Sequence, residues 1–386
     1  MTKEKIIIIT TVLVDVLGFA IVIPILPFYV TSFGASAFTV TLLFAAFAFF
    51  AFLSSPFLGR LSDKVGRRPV LLISLFSTAI GWFIFASAHS IPTLFLGRII
   101  DGAAAGNMVI AQSYLVDISK NETERSANLG LIGAVFGVGF MVGPTIGGAL
   151  STISHAFPFY FAGILALLNT VGAYFFLPES HHQRVKNAPL SFNPLTPLAK
   201  AAFDVKLRPL YTSWSLFILA FFIGQAIFGL FADKALGFDA FTTGLLFTGS
   251  GVVVVLNQAF LLRYVWLKRF TEAKLTTIMM LVFASGLFLM AVPYVPLFLV
   301  GIALLSTGHS TLRVVITSQV AGTAEPTTKG ETMGILMSIM AAALVVGPII
   351  GGILFEIHFA LPYFVGSLLA GYAFVLSKRE LDRRPN

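Results

Sequence analysis

The sequence contains no cysteine and few charged residues, and each shortage excludes a class of protein. Without cysteine, the chain has no disulfide framework and offers no thiolate to a metal or redox centre. Only 11% of its 386 residues are charged, whereas a soluble domain has about a quarter. The composition therefore excludes an ordinary soluble globular protein.

Motifs of common enzymes and of ATP-driven pumps are also missing. The sequence has no HExxH or GxSxG pattern, no acidic pair with metal-ligand spacing, and no phosphate-binding Gly-Lys-Ser/Thr loop. We therefore expect that the protein is not an enzyme and that it binds neither a cofactor nor a metal.

Long apolar runs fill the chain instead. Hydrophobic residues make up 57% of it, and the mean hydropathy is +0.92. A helix rising about 1.5 Å per residue crosses a hydrocarbon core of about 30 Å in about 20 residues, and the sequence lacks the alternating segments of an outer-membrane barrel. The predicted fold class is an all-α membrane protein with twelve transmembrane helices, at about 6–30, 38–59, 69–89, 93–117, 127–150, 156–177, 210–232, 242–263, 275–292, 296–319, 331–355 and 359–377.

Basic residues are concentrated in alternate loops between these spans. If the N-terminus is cytoplasmic, the basic residues of the loops face the cytoplasm, with Lys234 as the one exception. The positive-inside rule then predicts a multi-pass protein with both termini cytoplasmic. This distribution accounts for the net charge of +8, so we expect the lipid bilayer as a partner and no nucleic acid.

Two segments recur in the second half of the chain. "GFMVGPTIGGAL" (139–150) reappears as "ALVVGPIIGGIL" (343–354), and "TLFLGR" (93–98) is echoed by "PLFLVG" (296–301). The repeat predicts two homologous six-helix bundles, 1–177 and 210–386, joined by a cytoplasmic linker at 178–209. Parallel repeats of this kind are typical of transporters that work by alternating access.

Four segments resemble those of a known family. "GRLSDKVGRRPVLL" (59–72) resembles the signature loop of the major facilitator superfamily, and "GVGFMVGPTIGGAL" (137–150) resembles the Gly-Pro motif of its antiporter branch. "DVLGFAIVIPILP" in span 1 and "LGRIIDGAAAGN" in span 4 resemble twelve-span drug/proton antiporters, most closely the tetracycline efflux group. The resemblance covers the whole chain. It implies the major facilitator fold and export of a hydrophobic, drug-like molecule in exchange for protons, in a bacterial cytoplasmic (inner) membrane.

The signature loop suggests an inner gate. We expect Asp63 to meet the positive N-terminal end of a neighbouring helix, and Arg67 or Arg68 to pair with Asp117 at the end of span 4. The alternative is a charge cluster that only sets topology. The candidate gate residues are Gly59, Asp63, Gly66, Arg67, Arg68 and Asp117.

Span 5 carries a small-residue face that includes a proline. Glycines allow two helices to approach closely, and proline removes one backbone hydrogen bond. A plain packing face is the alternative, and it is compatible with a gating role. The residues of this candidate antiporter helix are Gly143, Pro144, Gly147 and Gly148.

Ionisable residues lie deep in spans 1 and 4. Asp15 is about nine residues into span 1, or about 14 Å from the inner surface, while Arg98 and Asp101 lie about 8 and 12 Å from the outer surface. A charge at such depth is costly unless it is paired or faces a cavity. We therefore predict Asp15 as the main proton-coupling site, Asp101 as the second and Arg98 as modulator. A purely structural pair of Arg98 with either carboxylate is the alternative.

Spans 3 and 9 contain no acid, whereas tetracycline antiporters have acids there. This difference argues against tetracycline as the substrate, and it suggests that Asp101 takes over part of the role of those acids.

Other polar residues within spans are candidates for a substrate cavity, although most amides in spans join helices to one another. In span 10, His309 could relay protons and Arg313 could bind an anionic group or simply reach the cytoplasmic surface. The cavity candidates are Asn107, Gln112, Gln225, Asn257, Gln258, His309 and Arg313.

The expected partners are a small-molecule substrate and protons, and we expect a monomer. Uptake by symport, or export of an endogenous metabolite or lipid, remains an alternative within transport. A non-transporting membrane receptor or scaffold is an alternative of another class, although it would not need acids at matched depth in opposed helices.

Overall fold

The computed structural model describes residues 3–181, 196–325 and 328–382, and the elements within these ranges are helices. Twelve of the helical stretches in the described ranges are long and apolar enough to cross a membrane. The predicted number of spans and the all-α class are therefore confirmed. The helices are α1 (Lys3–Val22), α2 (Leu26–Thr31), α3 (Ala37–Val65), α4 (Arg67–Ala86), α5 (Ile91–Ala103), α6 (Asn107–Asp117), α7 (Glu122–Ser151), α8 (Phe157–Phe176), α9 (Thr196–Phe203), α10 (Arg208–Leu236), α11 (Ala240–Leu256), a π-helical segment (Asn257–Trp266), α12 (Leu267–Arg269), α13 (Glu272–Met290), α14 (Val295–Thr323), α15 (Lys329–Ile357) and α16 (Leu361–Asp382).

Several helices run beyond the predicted spans. Span 2 was expected to end near residue 59, but α3 continues to Val65, and the helix of span 8 continues through α12 to Arg269. Hydropathy detects only the part of a helix that lies in hydrocarbon, whereas backbone hydrogen bonds carry the helix on into a polar segment. Part of the predicted linker is also helical, as α9. Residues 182–195 of that linker lie outside the described ranges.

Helix ends follow the local sequence. Asn121 caps α7 by accepting a hydrogen bond from Glu124 N (2.8 Å), and Asp239 does the same for α11 through Thr242 N (2.8 Å). Hydrogen bonds from Thr242 hold the pKa of the Asp239 carboxyl below its usual range. After α10, the left-handed residue is Gly237 (φ 66°), as expected where a Cβ would be strained. These signals fix the boundaries between spans.

Spans 1 and 4, predicted as continuous, are each interrupted. Pro24 lies in the gap between α1 and α2, where its missing N–H cannot serve an unbroken helix. In span 4 the interruption falls at residues 104–106, between α5 and α6. Ser54 donates to the carbonyl of Gly102 and Ser55 to that of Ala105, both at 2.8 Å. These hydroxyls satisfy backbone groups that the break frees, which is necessary where no water is at hand.

The chain divides into two compact units. The first takes its described residues from 1–35, 46–192 and 239–248, and the second from 36–45, 193–238 and 249–386. In the first unit, α1 packs on α7 and α8, and α4 packs on α5 and α8. In the second unit, α13 packs on α14 and α16, and α10 packs on α15 and α16. The start of α3 thus belongs to the second unit and the start of α11 to the first.

Candidate functional site

Asp15 is held by an asparagine at the break in span 4. Asn107 is the first residue of α6, and its Nδ2 donates to Asp15 Oδ1 at 2.8 Å and to Thr78 Oγ1 at 3.3 Å. The interruption at 104–106 therefore puts a helix start, with a polar side chain, opposite the carboxylate of α1. Discontinuous helices build many transporter sites in this way.

Arg98 pairs with Asp101 rather than with Asp15. Its Nη1 lies 3.3 Å from Asp101 Oδ2, and both side chains are buried. The guanidinium also lies over two rings, at 4.3 Å from the Phe47 centroid and 5.0 Å from that of Trp82. Aromatic faces attract a cation most strongly where water is excluded. Of the two structural pairs that the sequence left open, the structure contains the one between Arg98 and Asp101.

Thr78 of α4 lies between the two acidic positions. Its Oγ1 accepts a hydrogen bond from Asn107 at 3.3 Å, and Gly81, one turn further along α4, lies against Asp101. A row of polar residues thus extends across α1, α4, α5 and α6. Its members, in order, are Asp15, Asn107, Thr78, Asp101 and Arg98, and we refer to them as the buried polar path.

Two atoms of this path have no hydrogen-bond partner within the described ranges. They are Asn107 Oδ1 and Arg98 Nε, and both are buried. A buried polar atom without a partner is unfavourable by about 1–3 kcal/mol. A water molecule, a proton carrier or a polar group of a substrate that hydrogen-bonds these atoms would remove this unfavourable free energy.

Sequence reasoning missed Thr78, Phe47 and Trp82. Threonine and aromatic residues are ordinary components of apolar spans, so nothing in their own segments distinguishes them. The available signal was the depth of Arg98, since a buried cation needs partners and aromatic rings provide them.

A second polar cluster lies at the junction of α3 and α4. Arg67 Nη1 contacts Asp63 Oδ1 at 2.5 Å, and Arg67 Nε contacts Asp117 Oδ2 at 3.0 Å. The predicted contact between Arg67 and Asp117 is thus present. Arg68 instead donates to the carbonyl of Tyr174 at 2.5 Å. The cluster ties the start of α4 to the ends of α3, α6 and α8.

The carboxylate at the N-terminus of α4 belongs to Glu179, not to Asp63 as the sequence suggested. The backbone N–H groups of Arg67 and Arg68 donate to its two oxygens at 2.8 and 3.2 Å. Gly66 precedes them with φ 116°, and a Cβ at Gly66 would collide with the Glu179 carboxylate. Asp63, near the end of α3, is already paired with the side chain of Arg67. Glu179 lies 112 residues from Arg67, so no local pattern indicated this cap.

Replacing Glu179 with alanine should destabilise the purified protein by about 1 kcal/mol, because the first turn of α4 then loses a charged cap. Thermal unfolding in detergent measures this loss. Glu122→Ala is the matched control, since Glu122 lies in the first turn of α7 with a side chain that is 92% exposed. Equal stability of the two variants would contradict the capping role.

The glycines of span 5 form one face of α7 against α1. A Cβ at Gly139 would lie 2.6 Å from Val16 Cγ1, and one at Gly143 would lie 2.6 Å from the Ala20 Cβ. At Gly147, a Cβ would overlap the carbonyl oxygen of Ile21. Gly148 and Pro144 face the first turns of α11 instead, at Phe241 and Gly244. We call the contact of Gly139, Gly143 and Gly147 with α1 the glycine seam. Both its helices belong to the first unit, and α1 is the helix that carries Asp15.

Of the gate candidates, Gly59 lies on α3 opposite α6. A Cβ there would meet Val109 Cγ1 at 3.3 Å, so this glycine permits close packing of the two helices.

In the second unit, His309 of α14 lies against aromatic rings of α10. Its ring stacks on Phe221 with centroids 3.9 Å apart and planes at 10°, and Phe217 lies 5.7 Å away. Arg313, one turn further along α14, is exposed. The two residues therefore share a helix face, as their spacing predicts.

The remaining cavity candidates differ in their surroundings. Asn257 is fully buried, and its Nδ2 donates to Ser310 Oγ at 2.7 Å and Thr311 Oγ1 at 2.8 Å. It therefore joins helices, which was the alternative for such amides. Gln225 is half-buried, and Gln112 and Gln258 are exposed. The structure thus places the two acids of the buried polar path in the first unit, and His309 and Arg313 in the second.

Comparison with known proteins places these features in context. The family model described as Major Facilitator Superfamily matches residues 8–265 and 227–386. The class C tetracycline resistance protein of Escherichia coli is 34% identical over 259 residues, which cover 66% of this chain and 65% of that protein, slightly less than two thirds of its length. The quinolone resistance protein NorA of Staphylococcus aureus strain Mu50 is 29% identical over an alignment of 399 residues, covering 98% of this chain and 97% of NorA.

Solved transporter structures share the fold. The human organic anion transporter MFSD10 (TETRAN) has a TM-score of 0.71 at 23% identity, covering 97% of this chain and 99% of that chain. A peptide transporter, POT, has a TM-score of 0.82 at 15% identity, covering 99% and 94%. At these identities, the likeness extends to the fold alone.

Proposed function

Because the chain belongs to the Major Facilitator Superfamily, we propose that it exports a hydrophobic, drug-like molecule in exchange for protons. The observation that carries this proposal is the buried polar path, which offers acids inside a transporter of apolar composition. Two relatives whose names refer to drug resistance support export rather than uptake. Symport remains open as an outcome of the experiment below.

Asp15 is the group that we assign to proton exchange. Its carboxylate is half-buried and is bound by the neutral amide of Asn107. Asp101, in contrast, is already paired with Arg98. A proton and a cationic substrate are alternative ways of neutralising Asp15, so binding one displaces the other. Such competition at a single carboxylate is enough to couple the two fluxes.

Asn107 couples this exchange to the other residues of the buried polar path. Its single amide nitrogen serves both Asp15 and Thr78, so a change at either acceptor alters the other contact. Arg98 keeps Asp101 paired meanwhile, as a modulator. We therefore assign Asp15 as carrier and Asp101 as the second acid.

The arginine cluster of α3 and α4 serves as the inner gate in this proposal. Alternating access requires contacts at one membrane surface that form and break, and the ion pairs of Arg67 with Asp63 and Asp117 suit that role. The antiporter helix, α7, then moves together with α1, because the two helices are packed against each other at the glycine seam.

The proposed bundles are 1–177 and 210–386, the linker is 178–209, and both termini are cytoplasmic. We further propose a monomer in a bacterial cytoplasmic membrane.

A second contact with substrate is assigned to the face of His309 and Arg313. Stacked rings of Phe221 and His309 suit a planar aromatic group, and the exposed Arg313 suits an anionic one.

The experiment that tests the function measures collapse of a respiration-generated pH gradient in everted membrane vesicles. Lipophilic cations, zwitterionic aromatic drugs and tetracyclines are added in turn, and vesicles without the protein are the control. We expect proton release with at least one lipophilic cation or zwitterion. Compound-dependent movement of protons in the same direction as the substrate would replace antiport by symport. An intact gradient with every compound would contradict the proposal of a drug/proton antiporter.

A further inference from the structure

The end of span 8 carries a dense group of cations and aromatic rings that the transport mechanism does not use. The stretch 263–274 reads "RYVWLKRFTEAK" and has one acid, Glu272. We define the basic–aromatic cluster as its cations and rings, which are Arg263, Tyr264, Trp266, Lys268, Arg269, Phe270 and Lys274.

Two rings of the cluster lie under three of its cations. The Arg263 guanidinium and the Lys268 ammonium both lie over Tyr264, at 5.6 and 5.7 Å from its centroid. Lys274 lies 5.7 Å from the centroid of Phe270. These contacts hold the charged groups above aromatic faces.

The cations are exposed and lack a carboxylate partner among the described residues. Arg263, Lys268, Arg269 and Lys274 are all exposed, and none of them joins an ion pair within the described ranges. The one acid of the stretch, Glu272, accepts instead a hydrogen bond from Ser318 at 2.7 Å. The described residues therefore leave several positive charges of the cluster without an ion-pair partner.

Its position matches the headgroup layer of a bilayer. Only 11% of the apolar window of this span is buried inside the protein, and the rings of Phe260 and Tyr264 are 59% and 55% exposed. Arg263 lies near the end of the π-helical segment, and Lys268 and Arg269 lie in α12, which follows it. The cations therefore lie at one end of a long apolar helix, where the polar headgroups of a bilayer would meet it.

From these observations we infer that the basic–aromatic cluster binds the headgroup of an anionic phospholipid at this end of span 8. The positive-inside rule explains why cations lie at this surface. It does not require them to be stacked on rings beside an apolar helix face. Charge complementarity favours an anionic lipid over a zwitterionic one, because a juxtamembrane Lys or Arg contributes about 1 kcal/mol to binding an anionic surface.

Trp266 provides a built-in reporter of lipid at the cluster. The chain has three tryptophans, and Trp82 and Trp214 are only 3% and 1% exposed. Trp266 is half-buried in the cluster, with its Nε1 bonded to Asn257 Oδ1 at 2.9 Å. Brominated acyl chains quench a tryptophan that they contact, and Trp266→Phe supplies the blank.

The experiment uses the full chain in phosphatidylcholine vesicles that contain either brominated phosphatidylglycerol or brominated phosphatidylcholine at the same mole fraction. We expect stronger quenching of Trp266 by phosphatidylglycerol. In Lys268→Gln/Arg269→Gln, the association constant of phosphatidylglycerol relative to phosphatidylcholine should fall by about tenfold or more. Lys206→Gln/Arg208→Gln is the matched control, because it removes two exposed cations at the start of α10 on the same membrane side.

A charge-keeping variant protects the test against a folding defect. Lys268→Arg/Arg269→Lys should retain the preference for phosphatidylglycerol, and gel filtration checks each variant. Equal quenching by the two brominated lipids in the wild type would overturn the inference. A preference that survives Lys268→Gln/Arg269→Gln, or that is lost equally in the control, would overturn it as well.

Discussion

Replacing Asp15 with asparagine should reduce compound-driven proton release in everted vesicles to the level of vesicles without the protein. Asparagine has nearly the same size, and its side-chain carbonyl can still accept the hydrogen bond from Asn107. The path around it is therefore expected to remain assembled. What disappears is the group that can gain and lose a proton.

Asp101→Asn should behave differently, because its main effect is on stability. The change leaves the Arg98 guanidinium in the protein interior without its carboxylate. Breaking a buried ion pair by removing one partner is unfavourable by about 3–5 kcal/mol. We expect a lower unfolding temperature in detergent for Asp101→Asn and a nearly unchanged one for Asp15→Asn.

Asp239→Asn is the matched control for both carboxylate changes. Asp239 caps α11 outside the spans, and asparagine caps a helix about as well as aspartate. Its transport and stability should remain close to the wild type. If proton release survives in Asp15→Asn, the carrier must be Asp101 or another group, and our assignment of Asp15 is wrong.

The second large effect is expected at the glycine seam. In Gly147→Ala, the new methyl group would overlap the carbonyl oxygen of Ile21, which is backbone and cannot rotate away. Overpacking is typically unfavourable by about 1–3 kcal/mol, which exceeds the gain of about 1 kcal/mol from replacing a helical glycine with alanine. We therefore expect a lower unfolding temperature and a loss of transport.

The same helix offers the control. Gly133 also lies in α7, but a Cβ there has no atom within 4 Å among the described residues. Gly133→Ala should therefore be neutral or slightly stabilising by helix propensity alone. Fluorescence-detected gel filtration after heating compares the two variants directly. A Gly147→Ala protein as stable as Gly133→Ala would mean that α1 and α7 do not pack through this seam.

Hydropathy and the repeated segments were sufficient to predict the fold. Each span has to be apolar over about 20 residues, so hydropathy alone reveals the twelve spans. The signature loop identified the family. Counting residues into a span also placed Asp15 and Asp101 within the membrane. These properties depend on local sequence, which is why they could be read from it.

The partners of the acids could not be predicted in the same way. The choice of Asn107 for Asp15 depends on the interruption of span 4, which is stabilised by Ser54 and Ser55 from another helix. The cap of α4 by Glu179 likewise joins segments far apart in the chain. Such contacts arise from tertiary packing, and hydropathy has no information about them.

The division of ionisable groups between the two units has a consequence for how the proposed export of drugs would evolve. The acids proposed to carry protons lie on α1 and α5 of the first unit, whereas the stacked ring of His309 and the exposed Arg313 lie on α14 of the second. Under drug selection, substitutions around α14 can alter which compounds are recognised while the energy source stays intact. We expect variants with a new drug spectrum to accumulate there, and variants that have lost activity towards all drugs to accumulate around Asp15.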